Sequence, residues 1–172
     1  MKTSGPVAIV HDYLNQYGGA ERVLEALHDL FPDAPVYTSI YDPVAMPASY
    51  RSWDIRTSWM QRLPGWRRYF RNYFPLYPSA FESFDLSSYD LVLSSSSAFA
   101  KGVIPHHEAV HVCYCHTPMR YAWDLTFDYL SASRLGRGPQ GVLTRYLLHR
   151  LRQWDVVSAN RVDYFKIGRA HV

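Results

Sequence analysis

The apolar positions of the chain form short buried runs that alternate with stretches of helical period. Val7–Tyr13 is rich in β-branched residues and has no helical period, which predicts a buried strand. Apolar residues then recur at three- and four-residue spacing up to Phe31, and Pro32 follows, which predicts an amphipathic helix with a stop signal. Pro35–Tyr41 predicts a second strand. Together these elements predict a right-handed βαβ unit.

The same alternation continues through the middle of the chain. Three further strands are predicted at Trp53–Ser58, Tyr89–Ser94 and His111–His116. A basic, aromatic helical region is expected over Trp59–Tyr73, and the serines of Ser94–Ser97 predict a turn at a strand end. Thr117 and Pro118 are typical of an N-cap and a first helical residue, so a helix is expected over Met119–Leu130.

The last third of the chain predicts a loop and then a long helix. The loop residues are Gly136, Gly138, Pro139 and Gly141. Leucines at four-residue spacing from Leu143, followed by Trp154, predict a helix that runs to about Ala159. Strands that alternate with helices predict an α/β fold, a Rossmann-like parallel sheet flanked by helices, in one domain over residues 1–165.

Composition places the chain among folded globular proteins, with 172 residues, 48% apolar and 19% charged. The two cysteines, Cys113 and Cys115, exclude a disulfide framework. A single Cys-x-Cys pair lacks the second pair of ligands that a structural zinc site needs. We therefore expect reduced thiols in the core and no metal site.

The net charge of +3 conceals a basic segment, because Arg51–Phe74 holds six arginines and one acid. These arginines alternate with aromatic residues, a pattern favoured at the headgroup level of anionic bilayers. A membrane surface or a lipid-linked substrate ranks above nucleic acid, since no nucleic-acid-binding module surrounds the segment. The other interpretation is that the aromatic rings belong to the core and the arginines to a solvated face. The candidate membrane- or acceptor-facing residues are Arg62, Trp66, Arg67, Arg68 and Arg71.

Targeting signals are not evident in the sequence. The apolar run near the N-terminus, Val7–Val10, is far shorter than the core of a signal peptide. No stretch approaches the length of a transmembrane helix. We therefore expect a cytoplasmic protein that is peripheral at the inner face of the cell membrane.

A glycine turn separates the first predicted strand from the first predicted helix. A helix N-terminus offers unpaired N–H groups and a partial positive charge, and glycines let a phosphate approach that backbone. Gly18, Gly19 and Glu21 are therefore candidate substrate-binding residues. The spacing matches neither the dinucleotide fingerprint nor the Walker loop, which disfavours an ordinary dinucleotide oxidoreductase. The alternative is that the two glycines only permit a tight turn.

A second polar motif, His116–Asp124, follows a predicted strand and is expected on the same rim of the sheet. His116 can hydrogen-bond a sugar hydroxyl or a developing charge, and Arg120 can pair with a phosphate. The alternative is that His116 fills a loop pocket and Arg120 pairs with Asp124. The carboxylates Asp12, Asp124 and Asp128 show no spacing typical of paired acid–base catalysis.

Three motifs together, Val7–Leu14, Gly18–Val23 and His116–Asp124, resemble the N-terminal lobe of retaining GT-B glycosyltransferases. The closest likeness is to the family-four group that includes bacterial mannosyltransferases of polysaccharide assembly, and it extends from Val7 to Phe165. The resemblance implies two Rossmann-like lobes across a cleft. The N-terminal lobe takes mostly the acceptor, the C-terminal lobe takes the sugar nucleotide, and no metal or other cofactor is required.

The resemblance also implies roles for individual residues. Gly18 and Gly19 would contact the phosphates or the transferred sugar of the donor, and His116 would be the catalytic residue beside that sugar. The donor-binding C-terminal lobe of the family is not represented in the 172 residues. Residues 166–172 end in Ile-Gly-Arg-Ala-His-Val, which looks like an in-frame translation of a sequencing-library adapter. We therefore expect a non-native tail, a truncated gene and an inactive fragment.

The expected parent activity is transfer of a hexose, with retention, to a membrane-associated glycan or a lipid-linked acceptor. The resemblance favours GDP-mannose as the donor. Two other classes remain open. One is a stand-alone Rossmann-like module that binds a phosphorylated ligand or a partner without catalysis. The other is an epimerase or a dehydrogenase, and the absence of the dinucleotide fingerprint disfavours the dehydrogenase.

Overall fold

Six parallel strands form one sheet in the computed structural model, which describes residues 5–120, 122–124 and 138–168. The strands are β1 (Val7–His11), β2 (Val36–Thr38), β3 (Ile55–Thr57), β4 (Leu91–Ser96), β5 (Val110–Cys115) and β6 (Tyr164–Ile167). Their order in the sheet is β3-β2-β1-β4-β5-β6, and every neighbouring pair is parallel. The predicted α/β Rossmann-like class is confirmed. The order reverses between β1 and β4, and such a reversal opens a crevice at the carboxyl ends of the strands.

Helices cover the sheet where the chain crosses between strands. The α-helices are α1 (Gly19–Leu30), α2 (Trp66–Tyr69), α3 (Tyr77–Glu82) and α4 (Gly138–Ala159). Short 3-10 helices occupy Ala48–Ser52, Trp59–Arg62, Phe70–Leu76 and Ala100–Gly102. The predicted end of the last helix at Ala159 is confirmed.

One helix prediction and one loop prediction need correction, and a third prediction lies mostly outside the described residues. The helical region over Trp59–Tyr73 is broken into short pieces, because Pro64 precedes Gly65, whose φ of 64° is left-handed. The predicted loop of glycines is wrong in its described part, since residues 138–141 form the first turn of α4. The predicted helix over Met119–Leu130 lies mostly outside the described residues, and its described part forms turns.

Strand boundaries also differ from the predictions. β2 and β3 have only three residues each. β4 continues to Ser96 instead of turning at Ser94, because it pairs along its length with both β1 and β5. β5 ends at Cys115, which leaves His116 just beyond the strand. β6 was not predicted; the tail residues Lys166 and Ile167 extend it beside β5, and the origin of that tail stays a prediction.

Two cores lie on opposite faces of the sheet, because successive residues of a strand point to opposite sides. Val10 belongs to the core that α3 and α4 cover, and Ile9 belongs to the core that contains Leu24 of α1. The apolar face predicted for α1, which included Leu30, is partly wrong. Leu30 is 71% exposed, whereas His28 is buried and stacks on Trp53 with ring centroids 3.9 Å apart.

The central strands carry buried polar groups that are paired inside the protein. His111 is fully buried; its Nε2 lies 2.8 Å from Ser94 Oγ, and its Nδ1 lies 3.1 Å from the carbonyl oxygen of Arg161. Burial lowers the pKa of His111 to about 4, so the ring is neutral at physiological pH. Cys113 is a free thiol in the core, as predicted, and burial raises its pKa to about 12. Cys115 is also free but only half-buried.

Candidate functional site

The carboxyl ends of β1 and β4 meet at the reversal of strand order, and Asp12 fastens them together. Its carboxylate is buried and accepts four backbone N–H hydrogen bonds from the segment that follows β4. The donors are Ser97 at 2.6 Å, Ala98 at 2.9 Å, Phe99 at 2.8 Å and Ala100 at 2.7 Å. Charge-assisted bonds of this kind are about twice as strong as neutral ones. Asp12 therefore holds the floor of the crevice and does not serve as a free acid or base.

Four side chains beside Asp12 form a continuous hydrogen-bonded chain. His11 Nε2 lies 3.4 Å from Glu21 Oε1, and His11 Nδ1 lies 3.0 Å from Ser95 Oγ. Ser95 Oγ in turn lies 2.8 Å from His116 Nε2. His11, Glu21 and Ser95 are buried and His116 is half-buried. The chain links the first turn of α1 to the residue that follows β5.

A cavity of about 170 Å³ opens at this point, and we call it the β1–β4 cleft. Its walls include His11, Asp12, Gln16, Gly18, Gly19 and Glu21. A cleft that encloses a complete small ligand has about 300–1,000 Å³, so this one is large enough for only part of a nucleotide sugar.

The two glycines of the cleft are not required by the turn. Gly18 has extended backbone, and neither glycine has a positive φ. A Cβ at Gly19 would meet nothing within 4 Å, and one at Gly18 would meet Glu21 Oε2 at an ordinary 3.4 Å. The interpretation that these glycines only permit a tight turn therefore loses its physical basis. What the glycines do provide is open access to the N-terminal backbone of α1.

The protonation states in the cleft follow from its contacts. Burial alone would raise the pKa of Glu21, but the hydrogen bond and the electrostatic attraction of His11, with the backbone N–H groups of Glu21 and Gly18, hold it below its usual value. Burial, followed by the neighbouring His11, lowers the pKa of His116. At neutral pH, Glu21 is therefore an ionised acceptor and His116 a neutral imidazole.

The predicted site residues fall into two groups. Gly18, Gly19 and Glu21 all line the cleft. His116 lies on the same rim of the sheet but behind Ser95, and it reaches the cleft through that hydroxyl. Arg120 is exposed beyond the buried Met119. The predicted proximity of His116 to the turn is thus indirect.

Sequence reasoning missed two members of the site, His11 and Ser95. His11 lies within the predicted strand Val7–Tyr13, whereas Ser95 lies in the segment Ser94–Ser97 that was predicted to be a turn and belongs to β4 in the structure. A buried polar side chain needs a partner, so polar residues at neighbouring strand ends were the available signal. The hydrophobic pattern alone does not reveal which polar residues pair across strands.

A second cavity of about 360 Å³ adjoins the first and shares Tyr13 with it. Its other lining residues are Phe70, Arg71, Phe74, Tyr77, Ala98 and Phe99. Burial raises the pKa of Tyr13 to about 12, so its phenol stays protonated. The polar side-chain groups of its lining belong to Tyr13, Tyr77 and Arg71, and the other lining residues are apolar.

The basic segment, Arg51–Phe74, places some of its aromatic rings against the cores and its arginines on the surface. Trp53 stacks on Tyr50 in the core, and Trp66 packs partly against the other core, as the structural alternative expects. The six arginines of the segment are nevertheless all exposed. Three of them stack on neighbouring rings, Arg67 on Trp66, Arg68 on Tyr69 and Arg71 on Phe70, with separations of 4.9, 5.5 and 5.1 Å. Arg67 also pairs with Asp42 at 2.9 Å, and Arg62 is exposed.

Neither a cluster of metal ligands nor a membrane-spanning helix is found among the described residues. Within residues 5–120, 122–124 and 138–168, no group of three or more histidines, cysteines or carboxylates is placed to hold a metal ion. In the same ranges, no helix has both the length and the apolar character needed to cross a bilayer.

Comparison with known proteins gave no family. No protein-family model, no curated protein and no solved structure matches the chain.

Proposed function

We propose that this chain is the N-terminal lobe of a retaining glycosyltransferase, which transfers a hexose from a sugar nucleotide to a membrane-associated glycan or a lipid-linked acceptor. The observation that carries the proposal is the β1–β4 cleft, where an open glycine backbone and a His11–Glu21 pair face the same space. Ligands of open α/β sheets bind at such a reversal of strand order. The motif resemblance to GT-B enzymes assigns the class of reaction, since fold alone does not.

The charges in the cleft indicate that the sugar and the phosphates of the donor bind at different walls. The Glu21 carboxylate repels a diphosphate but accepts hydrogen bonds from hydroxyl groups. We therefore place the sugar hydroxyls against the His11–Glu21 pair and the phosphates at the backbone edge of Gly18 and Gly19. By resemblance the sugar nucleotide is GDP-mannose. A second lobe of the same enzyme would close the cleft and supply most of the charge stabilisation of the transition state. The 172 residues alone are therefore expected to give no turnover.

Substitution of Gly19 by alanine separates binding from folding. The new methyl group has no protein neighbour within 4 Å, so the free energy of unfolding should change by less than about 0.5 kcal/mol. The same methyl group obstructs approach to the backbone, and affinity for GDP-mannose should fall at least about tenfold, or 1.4 kcal/mol. Isothermal titration calorimetry and thermal melts measure the two quantities. Ala26→Ser, on the exposed side of α1, is the control and should leave both unchanged.

Equal affinity of the wild type and Gly19→Ala would contradict the placement of the donor. A longer gene product that binds GDP-mannose through this cleft but transfers no sugar would instead identify a binding module without catalysis. Tight binding of NAD would favour the dehydrogenase class.

The exposed arginines are proposed to face the anionic membrane that carries the acceptor. Each basic residue near such a surface contributes about 1 kcal/mol, and salt weakens the attraction. Replacing Arg67, Arg68 and Arg71 with glutamine should reduce sedimentation with anionic vesicles, most clearly at low salt. The matched control replaces Arg22, Arg145 and Arg150, which are exposed outside the segment Arg51–Phe74, and should retain most of the binding. Unchanged sedimentation of the first variant would remove the membrane from the proposal.

A further inference from the structure

The chain of Glu21, His11, Ser95 and His116 has a direction that its chemistry determines. An ionised carboxylate can only accept hydrogen bonds, so the contact between His11 Nε2 and Glu21 Oε1 requires the proton on Nε2. In a neutral His11 the other nitrogen, Nδ1, is then an acceptor. The hydroxyl of Ser95, 3.0 Å away, must donate to it.

The orientation of the serine determines the state of the second histidine. A hydroxyl has a single hydrogen, and Ser95 has given it to His11. Towards His116 Nε2, which lies 2.8 Å away, Ser95 Oγ can therefore only accept. His116 must carry its proton on Nε2, which leaves Nδ1 with a lone pair.

The contacts leave that lone pair available. His116 is half-buried, and among the described residues no hydrogen-bond partner is found for its Nδ1. Its nearest ring neighbour is Tyr114, with centroids 5.0 Å apart. Nδ1 is therefore the atom of this network that can take a proton or a hydrogen bond from a ligand.

We infer that Glu21 is a positioning residue, which through His11 and Ser95 fixes His116 as the Nε2–H tautomer and presents its Nδ1 as an acceptor. Glu21 makes no hydrogen bond to Ser95 or His116, so its effect on the tautomer of His116 passes along the hydrogen bonds of the chain, whereas its charge acts through space only to raise the pKa of that ring. What His116 acts on rests on the proposed function; the tautomer does not.

Nuclear magnetic resonance of the imidazole nitrogens tests the inference on the 172-residue chain itself. The measurement is made at about pH 8, above the usual imidazole pKa of about 6.5, and the same nitrogen resonances distinguish a neutral ring from an imidazolium. In the wild type, both His11 and His116 should carry the proton on Nε2. Glu21→Lys replaces an acceptor by a donor, so the direction of the whole chain should invert and place the proton of His116 on Nδ1. Glu21→Gln, nearly isosteric, should give His116 a mixture of tautomers in place of one.

The control is Glu25→Gln, one helical turn further along α1, where the carboxylate accepts from Tyr17 at 2.9 Å. It should leave the nitrogen resonances of His116 unchanged. Circular dichroism identifies a variant that fails to fold. If Glu21→Lys does not fold, the tautomer of His116 in the wild type and in Glu21→Gln still tests the inference. A wild-type His116 protonated on Nδ1, or nitrogen resonances of His116 indifferent to a folded Glu21 variant, would overturn the inference.

Failure of this inference and failure of the proposed function give different results. If the chain does not bind GDP-mannose but His116 is the Nε2–H tautomer, the proposed function is wrong and the inference about Glu21 stands. If GDP-mannose binds at Gly18 and Gly19 but the tautomer of His116 does not depend on Glu21, the proposed function stands and the inference is wrong.

Discussion

Asp12→Ala is expected to lower the free energy of unfolding by about 4 kcal/mol, the largest loss of stability for a substitution at the cleft. The carboxylate accepts from the four consecutive N–H groups of residues 97–100, and its removal leaves buried donors without partners. Each such donor costs about 1–3 kcal/mol, partly recovered where water enters. Small domains have only about 5–15 kcal/mol in total, so this variant should be close to unfolding at physiological temperature. Urea denaturation measures the change.

Two variants make the result specific to these hydrogen bonds. Asp12→Asn keeps one oxygen acceptor but places an amide NH₂ against two of the N–H donors, and should fall between the wild type and Asp12→Ala. Asp85→Ala removes an exposed carboxylate that accepts from Ser87, and should produce no measurable change. Stability of Asp12→Ala within about 1 kcal/mol of the wild type would show that the loop after β4 does not depend on this anchor.

His116→Ala is expected to reduce turnover about 100-fold or more in the two-lobed enzyme, which is the usual contribution of a positioned acid or base. The effect on folding should be small. His116 is half-buried and makes one side-chain hydrogen bond, to Ser95, whose loss costs about 1 kcal/mol. The measurement combines kcat from a sugar-transfer assay with the melting temperature of the same preparation.

His111 offers the matched contrast, because it belongs to β5, the strand that His116 directly follows, and also bonds a serine of β4. Its ring is fully buried and bridges Ser94 to the carbonyl oxygen of Arg161. His111→Ala should therefore destabilise the fold by several times more than His116→Ala, while kcat per folded molecule stays near the wild-type value. If the two variants lose stability and turnover in the same proportion, His116 is structural.

The sequence allowed the fold class to be predicted because its periodicities are local. The β-branched run at Val7 and the helix stop at Pro32 are each determined by neighbours along the chain, and both ends of the first βαβ unit were placed within a few residues. Short strands such as β3 were predicted to be longer than they are, because a three-residue strand has too few positions to show a period. β6 was missed because its four exposed residues have no inward-facing pattern, and its pairing with β5 is what makes it a strand.

The site was predictable where its residues share one turn and not where they come together from different strands. Gly18, Gly19 and Glu21 lie within four positions of the sequence, so the pattern of a helix N-terminus can be recognised there. The bond between His11 and Ser95 joins residues 84 positions apart, and it depends on β4 lying beside β1. Asp12 was dismissed as an acid or base on spacing alone. The structure supports that conclusion for another reason, because backbone N–H groups occupy both of its oxygens.

The proposed function requires that the backbone at the start of α1 forms a wall of the ligand-binding cleft. The most direct measurement is an amide NMR titration of the isotope-labelled chain with millimolar GDP-mannose, and in parallel with GDP. The account predicts that the amide resonances of Gly18 and Gly19 shift with both ligands, that the Glu21 amide shifts most with the sugar nucleotide, and that α4 stays unchanged. Unmoved glycine amides, whether the shifts lie elsewhere or are absent altogether, would contradict it.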